Sequence, residues 1–121
     1  MKRDYPAEIE EQSIALQRTQ ERRDEARLAL EAITDAITAD VLRLTDPDTG
    51  KPVFTNDKAR ELAIRERQRA SGEYQKWAQV LQTAEFERAA AAARLERMRG
   101  DFAESKLERR ERIAAIEAAI G

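Results

Sequence analysis

Four acids near the amino end have a spacing that metal chemistry can use. Glu8-x-x-Glu11 and Glu21-x-x-Asp24 each place two carboxylates one helical turn apart. Two such pairs, brought together from neighbouring helices, can hold a magnesium ion, which binds through a few carboxylates and keeps several waters. Both pairs here fall on one uninterrupted helix, about 20 Å apart at 1.5 Å per residue, so they do not converge within one subunit. With 24 acids among 121 residues, such spacings arise by chance. Solvated helix faces are the expected outcome.

Asp46, Asp48 and Gly50 outline the start of a calcium loop. That loop needs a ligand at its fifth position, Gly at its sixth and a bidentate Glu at its twelfth. Gly50, Lys51 and Asp57 stand there instead. Gly50-Lys51 does not complete a phosphate loop either, because Thr45 replaces the first glycine and Pro52 replaces the magnesium-binding hydroxyl. A capped turn accounts for the whole cluster. No catalytic, cofactor-binding or metal-ligating residue is assigned, and no cofactor is expected.

The basic residues divide into clusters. Lys58, Arg65 and Arg69 are expected along one side of a short helix, with Arg60 and Arg67 beside them. Arg94, Arg97 and Arg99 form a second group, and Arg109, Arg110 and Arg112 a third. Phosphate binding needs such clusters free of acids. Glu61, Glu66, Glu96, Glu108 and Glu111 lie within helical reach, and surface ion pairs are the expectation. The short helix is the better of the nucleic-acid candidates.

Composition narrows the chemistry further. The absence of Cys removes disulfides, thiol catalysis and cysteine-type zinc sites. The absence of His removes the commonest general base and metal ligand. A net charge of −2 offers no bulk attraction to nucleic acid or membrane. No apolar run approaches the ~20 residues of a membrane span. The charged start, Met1 to Pro6, does not read as a secretory leader. A soluble cytoplasmic protein, and not an enzyme, is the expectation.

Charged residues make up 38% and aromatics 5%, favouring long helices with solvated flanks over a thick core. The clearest pattern runs through Tyr74, Trp77, Leu81, Ala84, Arg88, Ala91, Leu95, Met98 and Phe102. All but Arg88 are apolar, and the alternating spacing of three and four marks a narrow stripe laid against a partner helix. A matching stripe in the first helix comprises Leu30, Ile33, Ile37 and Leu44, with Val41 joining as it drifts. Arg23 and Arg88 interrupt the stripes, where a charge reaches the edge or pairs across.

The chain is expected to form a single all-α domain over residues 1–121. A first helix spans about 6–44, a turn 45–55, a short helix 56–70, and a long helix 73–119. Pro6 suits the first turn of the first helix, with Asp4 as its negative flank. Gly50 takes the turn position that needs positive φ, and 52–54 runs extended beside 42–44. Thr55 or Asn56 caps the short helix, and Ser71 caps the long one. Gly100 either interrupts the long helix, with Asp101 and Glu104 restarting it, or is carried through. One interior glycine costs only about 1 kcal/mol, so continuity is favoured. Antiparallel pairing of the long helices is expected to set Leu44 near Tyr74 and Leu30 near Arg88.

Gly50-Lys51-Pro52-Val53-Phe54-Thr55-Asn56-Asp57-Lys58-Ala59-Arg60, followed by Glu73-Tyr74-Gln75, resembles a group of small helical proteins encoded in phage and prophage genomes. In these, a similar Gly-Lys-Pro-x-aromatic-Ser/Thr-Asn stretch joins a long first helix to a short basic one, and a Tyr-Gln step opens the last helix. The resemblance implies a mobile-element origin near replication or recombination genes. It carries no defined catalytic or binding residues.

A two-helix hairpin cannot cover these stripes on all sides, and Ile14, Ile64, Val80 and the Ile113–Ile120 tail lie off the main seam. A homodimeric helical bundle is therefore expected. The expected function is a non-enzymatic interaction or scaffold protein whose partners are a second copy and another protein. The alternative is an accessory nucleic-acid binder using Lys58, Arg60, Arg65, Arg67 and Arg69.

Overall fold

Three helices follow one another in the computed structural model, which describes residues 3–120. They are α1 (Tyr5–Arg43), α2 (Asp57–Ala70) and α3 (Gly72–Ile120). The long helices α1 and α3 pack against each other as a hairpin, with short α2 between them. The reading of a leader-free start includes Met1 and Lys2, which lie outside the described residues.

Each helix begins where a side chain can accept an otherwise unused amide. Asp4 accepts from the Ala7 amide at 3.1 Å, and Asn56 accepts from Ala59 at 2.8 Å. Ser71 works in both directions. Its amide donates to the carbonyls of Arg67 and Gln68, ending α2, and its hydroxyl accepts from the Tyr74 amide at 3.1 Å, starting α3. Helix α3 then runs unbroken through Gly100, which is exposed and has open space around it.

The link from α1 to α2 is a tight turn held by Asp46. Its amide donates to the Lys51 carbonyl, its carbonyl accepts from Gly50 at 2.7 Å, and its carboxylate accepts from Asp48 at 2.9 Å. Gly50 has φ +68°, the left-handed region where glycine is favoured. Thr45 and Pro52 form an antiparallel bridge, and the Val53 amide donates to Leu44. The acids around Asp46 thus close a turn.

Contacts gather into two compact units. In the unit of residues 21–85, the buried apolar side chains are Ala26, Val41, Ala63 and Ala84. Leu30, Ile33, Ile37, Tyr74, Trp77 and Leu81 lie half-buried around them. Leu44, expected in this seam, lies beyond the end of α1 and is exposed. Val41, one turn earlier, is 1% exposed and is the seam's largest fully buried side chain. Gln68 of α2 donates to the Thr34 hydroxyl of α1 at 3.0 Å, and Gln75 of α3 donates to the Gln68 carbonyl. Arg27 pairs with Glu85 at 3.2 Å. The register that set Leu44 near Tyr74 would have put Arg27 level with residue 91, so α3 is offset from that expectation.

In the unit formed by the start of α1 up to residue 20 and α3 from residue 86, Thr19, Ala91 and Leu95 are buried. The Thr19 hydroxyl is satisfied by the Leu16 carbonyl at 2.7 Å. Met98 and Phe102 are half-buried, and Phe102 stacks on Tyr5 with ring centroids 5.4 Å apart.

Candidate interaction surfaces

The cations of α2 do not form one patch. At about 100° per residue, Lys58, Arg65 and Arg69 fall within about 40° of one another. Arg60 and Arg67 lie on the opposite side of the helix. The burial agrees: the first three are exposed with Leu62, whereas Arg60 and Arg67 are half-buried. Arg60 is tied down locally, donating to the Phe54 carbonyl at 3.3 Å and pairing with Asp57 at 3.1 Å. The five-residue site expected from the sequence thus separates into an outer group of three and an inner pair. The separation follows from Ala63, whose burial fixes which side of α2 faces inward. Among the described residues, Glu61 and Glu66 form no ion pair with the outer three, although pairing was expected.

A second surface lies at the far end of α3. Tyr5 is the first residue of α1, and its stack on Phe102 is the last cover α1 gives that helix in this unit. Every described residue from Ala103 to Ile120 is exposed. Ile113, Ile116 and Ile120 fall within about 60° of one another and of Phe102, so the tail prolongs the seam in the open. Their exposures are 49%, 57% and 81%.

Charge is sorted around this end. Lys106 and Arg109 lie within about 40° of Phe102, with Arg112 and Glu117 on the two flanks, while Glu104, Glu108 and Glu111 lie more than about 100° away. The pairing expected of Glu108 and Glu111 with neighbouring arginines is absent among the described residues. A cleft of about 410 Å³ opens between this cationic side and Arg3 and Tyr5. Lys106 sits 4.1 Å over the Phe102 ring, and Arg3 sits 4.8 Å over Tyr5. The Glu8 carboxylate, 2.7 Å away, holds the Arg3 guanidinium above its already high ordinary pKa. A raised value on a cation is lost only as pH rises through it, so this charge does not switch near neutrality. The individual residues were visible in the sequence. Their meeting was not, because it depends on where α1 starts relative to α3.

The acid pairs lead elsewhere. Glu8 is engaged with Arg3, and Asp24 lies 3.4 Å from Arg23. Among the described residues, no three carboxylates gather as a metal site would require. No described helix is long and apolar enough to cross a membrane. No family model, no curated protein and no solved structure matches this chain.

Proposed function

We propose that this chain is a non-enzymatic interaction or scaffold protein of phage or mobile-element origin, acting in the cytoplasm as an oligomer. The observation that carries this reading is the uncovered end of α3. Three isoleucines at helical spacing on one exposed side of α3 ask for another chain. The Gly50–Arg60 stretch supports the origin through its resemblance to phage-encoded helical proteins. Static light scattering at micromolar concentration tests the reading. A mass above one chain is expected, falling toward one chain when Ile113 and Ile116 are both changed to Asp. A single-chain mass for the unaltered protein overturns self-association. Metal-dependent nucleotide hydrolysis lost in Glu8→Ala or Glu11→Ala would overturn the non-enzymatic reading.

A second reading, accessory nucleic-acid binding in replication or recombination, is favoured by the outer face of α2. Lys58, Arg65 and Arg69 stand there exposed and without acid partners among the described residues. Fluorescence polarisation with single- and double-stranded DNA separates the readings. This one requires binding that weakens steeply with salt and disappears when these three residues are changed to Glu. Arg60→Glu and Arg67→Glu should matter less to binding, because those side chains face inward.

A further inference from the structure

The uncovered end of α3 carries its own instruction about how a partner lies on it. From Phe102 to Ile120 the stripe reads Phe102, Lys106, Arg109, Ile113, Ile116, Ile120: two cations toward the middle of α3 and three isoleucines toward its end. The stripe continues the α1–α3 seam past Tyr5, so its occupant takes the place that α1 vacates.

We infer that the occupant is the same segment of a second copy, lying antiparallel and centred on Glu111. This rests on the proposed self-association and specifies its geometry. A parallel copy would set Lys106 against Lys106 and Arg109 against Arg109, placing like charges in a seam. The antiparallel copy sets Phe102 opposite Ile120, Lys106 opposite Ile116 and Arg109 opposite Ile113. Each cation then lays its methylene stem along an isoleucine and turns its charge to the edge. Charge also matches at that edge. Lys106 and Glu117 share one flank of the stripe, and antiparallel pairing brings the Lys106 of one copy beside the Glu117 of the other.

The chain contains no cysteine, so thiols can be placed singly. Lys106→Cys and Ile116→Cys variants, mixed in a glutathione redox buffer, should give mainly the mixed disulfide. Lys106→Cys alone should cross-link poorly, because its two copies are about 15 Å apart along the axis, beyond the ~7 Å between Cα atoms that a disulfide allows. Light scattering on the unaltered chain reads self-association separately. A single-chain mass overturns both the proposed function and this geometry. An oligomer in which Lys106→Cys links to itself overturns the antiparallel register and leaves self-association standing. An oligomer that forms neither disulfide and survives Ile116→Asp places the interface elsewhere. Ile116→Asp should weaken association about tenfold or more with helix content unchanged. Lys106→Glu should weaken it, and Glu117→Lys added to that variant should restore it.

Discussion

Tyr5 stacks on Phe102 at 5.4 Å with the rings inclined by 29°, and this contact is where α1 stops covering α3 in its unit. Arg3 and Lys106 stand over the two rings, so two cation–aromatic contacts reinforce the stack. Changing Tyr5 to Ala should cost about 1 kcal/mol, the scale of an aromatic pair, read as a lower urea midpoint. An unchanged midpoint would show that the stack adds nothing in solution.

Ser71 is the sole residue between α2 and α3. Ser71→Ala keeps the backbone bonds that end α2 but removes the hydroxyl that accepts from Tyr74. The expected loss is about 1 kcal/mol, and Ser71→Asp should recover most of it. Denaturation of all three proteins checks this; an alanine variant as stable as the parent would contradict the double role.

Two glycines should respond with opposite signs. Gly100 is exposed within a continuous helix with nothing near its missing Cβ, so Gly100→Ala should raise stability by about 0.5–1 kcal/mol. Gly50 holds φ +68°, and Gly50→Ala should lower stability by about 1–2 kcal/mol. Equal effects from the two changes would show that α3 is not helical at Gly100.

Gln12 and Arg88 each bury a polar atom, Oε1 and Nε respectively, without a hydrogen-bond partner among the described residues. Replacing the amide by an apolar thioether of similar size removes that desolvation penalty, so Gln12→Met should raise stability by about 1 kcal/mol. A lower melting temperature in Gln12→Met would show that the amide is bonded in solution.

Local structure was legible in the sequence because its causes are local. Ser71 announced a helix start and Gly50 the turn; Asn56, one of two cap candidates with Thr55, caps α2, and Asp4, read as a negative flank, also accepts a hydrogen bond at the start of α1. The Tyr74–Phe102 stripe likewise showed which side of α3 would be covered. The offset between the helices was not legible. A stripe that repeats every seven residues looks the same after a shift of one heptad, so nothing told Arg27 that its partner would be Glu85. Splitting Arg60 and Arg67 from Lys58, Arg65 and Arg69 required knowing which side of α2 turns inward, and Ala63 carries too little apolar surface to announce it. The basic groups looked alike in sequence because acids are interspersed everywhere, whereas on the helix Lys106 and Arg109 fall beside Phe102 and Glu104, Glu108 and Glu111 fall away from it.

Among the described residues, four of the six buried apolar positions are alanines: Ala26, Ala63, Ala84 and Ala91. Ordinary interiors suffer when side chains are trimmed and tolerate exchange among bulky residues. Here the relation is inverted, since a methyl has almost nothing to lose and any enlargement must wedge the rods apart. Across a family of variants, then, the least changeable sites would be those that look most ordinary, and the big half-buried residues would drift freely around them.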